Sequence, residues 1–121
     1  MSIRLKRGLD HILKNYGHDI LLQRRTATGF SDKLERHTVR HWFPGSESDT
    51  IIDVPEGLAN DVDMIYAVRG EVRPKEQDRI YEGDVGLGQQ STYIIDFAIP
   101  MRGAGGEIVY WSVGATRESP N

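Results

Sequence analysis

Four histidines, His11, His18, His37 and His41, carry the readiest chemistry in this chain of 121 residues, because imidazole both moves protons near neutral pH and ligates metals. His37 and His41 stand four apart in a segment with extended character. That spacing puts them on one side of a strand but ~13 Å apart, at ~3.3 Å per residue. Two ligands of one ion, each ~2.0–2.1 Å from it, do not stand so far apart. His11 and His18 straddle the end of a predicted helix and meet only through tertiary packing. The expectation is therefore satisfied or solvent-facing histidines, no metal site and no cofactor.

Other reactive groups give no stronger pattern. With no cysteine, disulfides, thiolate zinc sites, iron–sulfur clusters and cysteine nucleophiles are excluded. Gly86-Leu87-Gly88-Gln89-Gln90-Ser91 begins like a phosphate loop, yet no Gly-Lys-Ser/Thr follows and no GxGxxG opens a helix. No serine lies in a Gly-x-Ser-x-Gly context, and the carboxylates are scattered through turns without an apolar enclosure to raise a pKa. The chain reads as a non-enzyme without catalytic residues. Trp42 and Phe43 adjoin Arg36 and Arg40, the pairing of rings with cations that single-strand-binding barrels use. The remaining aromatics, Tyr66, Tyr81, Tyr93, Phe97, Tyr110 and Trp111, fall in acidic or apolar segments, so sequence-specific nucleic-acid binding is not expected, whereas contact with a passing or packed polyanion stays open.

The elements that must hold these residues begin with a helix. Leu5, Leu9, Ile12, Leu13 and Tyr16 follow the i, i+4, i+7, i+8, i+11 spacing of one apolar face over residues 2–16, with Ser2 as N-cap and Gly17 as stop. From about residue 19 the period becomes extended. Ile20–Thr26, then Lys33–Phe43 after a break at Gly29–Asp32, read as strands, the second charged on both faces and so suited to an edge or a subunit contact. Pro44–Asp63 reads as one long loop, with Thr50–Val54 its only short strand candidate, and loops of that length are usually functional or mobile. Asp63–Gly70, Arg79–Glu82, Thr92–Ile99 and Glu107–Gly114 complete the strands, the last two joined by the tight turn Gly103–Gly106. Residues 115–121 read as a flexible tail. The sum is one domain, mainly β: a small antiparallel barrel or sandwich over about 19–114, with an N-terminal amphipathic helix and one long loop.

Charge is unevenly spread. Residues 1–41 hold nine lysines and arginines against four acids, a balance of +5, and the remainder stands at −8. Such polarity suits a partner polyanion or head-to-tail self-association. No apolar run approaches the ~20 residues of a membrane span, and the N-terminus lacks a signal-peptide pattern, so no membrane partner is expected and a cytoplasm-like site of synthesis is.

The strings LDHILKNYGHDILLQRR, DVPEGLANDVDMIYAV and RPKEQDRIYEGD together resemble the small neck proteins of tailed bacteriophages, and most of all the head-closure or stopper group. The leading helix and the whole Pro44–Asp63 loop depart from the simplest stopper pattern. The resemblance implies a virion structural protein in the neck, assembled in the host cytoplasm. It would form a homo-oligomeric ring of six- or twelve-fold symmetry between a portal or adaptor protein and a tail protein, closing the DNA-filled head. The alternatives are a tail-completion or baseplate protein and a small nucleic-acid-binding barrel. In the ring reading, the subunit interface draws on Leu5, Leu9, Ile12, Leu13, Tyr16, Arg36 and Arg40 with the acidic Glu76, Asp78 and Glu82. The channel or docking loop carries Ser46, Glu47, Ser48, Asp49 and Asp53.

Overall fold

A computed structural model describes residues 2–42, 61–83 and 91–118. Helix α1 spans Ser2–Tyr16, followed by strands β1 (His18–Thr26), β2 (Gly29–Trp42), β3 (Met64–Arg69), β4 (Arg79–Glu82), β5 (Ser91–Arg102) and β6 (Ile108–Arg117). A 3-10 turn, Gly70–Val72, follows β3. The six strands close into an antiparallel barrel in the order β1-β2-β3-β6-β5-β4.

Period-2 alternation decides what fills it. Ile20 and Leu22 from β1, Val39 from β2, Met64, Tyr66 and Val68 from β3, Ile80 from β4, Tyr93 and Ile95 from β5, and Val113 and Ala115 from β6 form the interior cluster. The intervening Ala67 faces outward, where Leu9 and Leu13 of α1 cover it together with Val109 and Tyr110 of β6. The helix thus packs across its own barrel. Gly17 stops it, its N–H bonded to the Leu13 carbonyl (3.1 Å).

Several boundaries differ from expectation, among them that of β5, which runs past Ile99 through Pro100 to Arg102. β1 begins at His18, and β2 runs unbroken from Gly29, because Arg25 pairs with Phe30 and Thr26 with Gly29 in a tight hairpin. The tail beginning at Ala115 is instead strand: Ala115 pairs with Met64 and with Ile95 and is fully buried, and β6 continues through Arg117. Alternation explains it, since Ala115 is the next inward position after Val113. The long-loop and Thr50–Val54 expectations lie outside the described residues.

Closure is uneven around the barrel. β2 meets β3 only through Arg40↔Ala67, His41↔Tyr66 and Trp42↔Ile65. β1 meets β4 only through Leu21–Gln23. The β1–β2 hairpin therefore extends beyond the closed wall. Among the described residues, Gly29–Val39 has a strand partner on the β1 side alone.

Candidate functional site

The antiparallel registers bring the start of β1 and the ends of β2 and β4 to the same mouth of the barrel. β6 also ends there, since Ala115 pairs with Met64 at the start of β3. Inward alternation continues there with polar residues: His18 precedes Ile20 by two, His41 follows Val39 by two, and Glu82 follows Ile80 by two.

These three side chains and Tyr66 form a polar layer over the apolar interior. A carboxylate only accepts, so His18 Nε2–H donates to Glu82 Oε1 at 2.5 Å. Tyr66 O–H donates to the other oxygen, Oε2, at 2.5 Å. His41 Nδ1, an enclosed atom, meets the same Oε1 in an ion-pair contact. The His18 and His41 rings lie 3.8 Å apart between centroids, tilted by 52°. Burial opposes the charge of Glu82, but the contacts with His18, His41 and Tyr66 outweigh it and hold its carboxyl at about 2. Burial and the adjacent Glu82 charge push the Tyr66 phenol far up, so it remains a neutral donor. One donor atom each from His18, His41 and Glu82 lies within 4.8 Å of the others, the composition and spacing of a cation site.

Toward the hairpin end lies a second network. Arg24 Nε and Nη2 donate to the two oxygens of Glu35 at 2.9 and 3.2 Å, a bidentate pair. Its Nη1 reaches the Arg73 carbonyl (2.8 Å) and Asp78 (3.4 Å). Asp78, 2% exposed, also accepts from the backbone N–H groups of Arg25 (2.8 Å) and Lys75 (3.0 Å). The hydrogen bond from Arg24 holds the Glu35 carboxyl at about 2, against a smaller opposing effect of burial. An open cleft of about 450 Å³ beside this network is lined by Arg24, Arg25, Arg73 and Lys75 against Glu71 and Asp78. Its cations face acids on the same wall, so it is a mixed-charge cleft.

The expected interface set divides. Leu9, Ile12 and Leu13 are buried within the subunit, whereas Tyr16 is exposed and carries the Arg40 guanidinium 5.8 Å above its ring. Leu5 lies on α1, its side chain outside the described residues. Arg36 is 74% exposed, and Glu76 is exposed too. Asp78 and Glu82 must be removed from the acidic surface: each is buried, Asp78 capping backbone N–H groups beside Arg24 and Glu82 facing inward between two imidazoles. Ser46, Glu47, Ser48, Asp49 and Asp53 lie outside the described residues. The spacing argument concerned His37 with His41, which meet different carboxylates: His37 contacts Glu35 at 3.1 Å, and His41 meets Glu82. It did not consider ligands drawn from neighbouring strands. The signal that finds them is the shared inward parity of His18, His41 and Glu82 with Ile20, Val39 and Ile80. No family model, curated protein or solved structure matches the chain.

Proposed function

We propose that the chain is a ring-forming structural subunit of a tailed-phage neck, closing the head and joining it to the tail. The observation that supports it most is the half-paired hairpin: β2 offers Gly29–Val39 with a strand partner on one side only, and a strand edge is a template for pairing with another chain. That edge carries exposed Lys33, Arg36 and Leu34. The complementary acidity lies elsewhere in the chain. Residues 43–60, next in sequence after β2, contain Glu47, Asp49, Asp53 and Glu56 and no lysine or arginine. A subunit basic along that edge and acidic in another segment suits repeated heterologous contacts, which close into a ring when the rotation allows. An acidic lumen-facing segment would also let DNA slide past without sticking.

The corrected contact surface pairs Lys33, Arg36 and Arg40 with Glu76, Glu71 and the acids of 43–60, rather than with Asp78 or Glu82. The test is electron microscopy and mass measurement of the purified protein, alone and with a portal ring, for the parent and for Arg36→Glu combined with Lys33→Glu. Rings in the parent that are lost in the variant support the reading. A parent that stays monomeric alone and with the portal refutes it. A parent that instead binds nucleic acid with an affinity falling steeply with salt favours the nucleic-acid-binding barrel.

A further inference from the structure

The structure assigns His18, His41 and Glu82 as the protein ligands of a borderline divalent transition-metal ion, zinc in the first instance, at the mouth of the barrel. Two imidazole nitrogens and one carboxylate oxygen form a nitrogen-rich donor set. Calcium and magnesium take all-oxygen shells, whereas zinc and its neighbours favour imidazole. In a tetrahedral zinc site, ligands at ~2.0–2.1 Å stand ~3.3 Å from each other. His18 Nε2 stands 2.5 Å from Glu82 Oε1, His41 Nδ1 lies closer still to the same oxygen, and all three atoms fall within 4.8 Å of one another, so the two imidazoles need only draw back slightly to share one ion with the carboxylate.

Three features favour a ligand over a merely structural cluster. First, the donors come from β1, β2 and β4, three separate strand ends, with their side chains converging on one point. Second, His41 Nδ1 is enclosed and is directed, like His18 Nε2, at the single oxygen Oε1, so both imidazole nitrogens and the carboxylate face one point. Third, the carboxylate is already braced for single-oxygen ligation. Tyr66 O–H holds Oε2 at 2.5 Å and leaves Oε1 to the two histidines, as outer-shell donors do for ligating carboxylates. The Tyr66 ring packs edge-on against Tyr93, 6.3 Å between centroids, which fixes the phenol.

On binding, His18 takes the neutral tautomer with its proton on Nδ1, so that Nε2 presents its lone pair, and Oε1 exchanges that hydrogen bond for the metal. Three protein ligands leave the fourth tetrahedral position to water. The ion would tie the start of β1 to the ends of β2 and β4. It would thereby fix the root of the 43–60 connection, which departs one residue beyond Trp42. The assignment is independent of ring assembly.

The test titrates Zn²⁺ into the tag-free, metal-stripped full chain near neutral pH by calorimetry. Co²⁺ serves as a visible-absorption probe of coordination geometry. One ion per chain and a tetrahedral Co²⁺ spectrum are expected. Tyr66→Phe should weaken binding ~10–100-fold, and His18→Ala or His41→Ala by more. Both histidines are partly exposed, at 31% and 37%, so these variants should keep the parent's circular dichroism. His11→Ala and His37→Ala should bind like the parent. Absence of Zn²⁺ binding by the parent overturns the assignment, as does binding left unchanged by both His18→Ala and His41→Ala. Unchanged binding in Tyr66→Phe overturns the bracing role given to the phenol.

Discussion

Truncating Leu13 to alanine tests whether α1 belongs to the barrel's cooperative unit. Leu13 is 1% exposed and packs in the cluster of Leu9, Ala67, Val109 and Tyr110, between the helix and the outer faces of β3 and β6. Emptying a site so enclosed removes the transfer free energy of the side chain and leaves a cavity, together costing ~2–5 kcal/mol. For 121 residues at about 2.1 cal/mol/K each, the unfolding entropy near the midpoint is ~0.25 kcal/mol/K. A loss of ~3 kcal/mol therefore lowers Tm by ~12 °C, with ~8 °C the smallest shift consistent with the packing. Calorimetric melting of Leu13→Ala beside Tyr16→Ala reads it. Tyr16 lies on the same helix but is 63% exposed, so its removal should move Tm by no more than ~2 °C. A Leu13→Ala melt within ~2 °C of the parent, alongside a clear drop for Ile95→Ala in the barrel interior, would refute a docked helix.

Three further outcomes follow from the same contacts. Asp78→Ala strands the Arg25 and Lys75 N–H groups while Arg24 keeps Glu35, so chemical denaturation should show a loss of ~2–4 kcal/mol, the cost of leaving buried donors unsatisfied. Glu35 has its carboxyl held at about 2 against an ordinary 4.5, so its contribution is complete above about pH 5 and disappears as pH falls toward 2. The full displacement is worth ~3 kcal/mol, and with 27% of the side chain in water screening reduces it to ~1–2 kcal/mol; Glu35→Gln should flatten the stability-versus-pH curve over that window by this amount. Gly17→Ala would set a Cβ 2.4 Å from the Leu13 carbonyl oxygen and 3.0 Å from Thr38 Cγ2, so the helix must shift off β2, and a Tm no lower than the parent's would contradict the junction geometry.

Local periodicity made the architecture legible and left the sites obscure. The α1 stripe and the period-2 runs of β3, β5 and β6 each announce themselves within a dozen residues, because each is a pattern along one segment. The polar mouth is a pattern across segments. In sequence His18 stands at a helix end, and Glu82 ends a strand as one acid of an acidic surface. Only barrel closure, which sets Leu21 opposite Tyr81 and His41 opposite Tyr66, turns them into neighbours. Asp78 was read as surface charge for the same reason: its Arg24 and Arg25 partners stand more than fifty residues earlier. The charge on β2 was legible in a coarser sense. A strand polar on both faces was expected at an edge, and much of its length does pair on one side alone, although the end near Trp42 is stitched into the closed wall.

The two polar networks also divide the work of holding the barrel. A closed antiparallel wall satisfies its own backbone only where both neighbours are present, and here both seams next to the β1–β2 hairpin are short. Each seam has a charged network beside it. Arg24, Asp78 and Glu35 lash the hairpin to the β3–β4 connection, and His18, Glu82, His41 and Tyr66 join β1, β4, β2 and β3 at the mouth. Hydrophobic burial alone would leave the hairpin free to twist about its base, since apolar contact is non-directional. Hydrogen-bonded charge fixes its direction. If the strand edge pairs with a neighbour as proposed, a direction fixed before contact spares each interface the cost of ordering it.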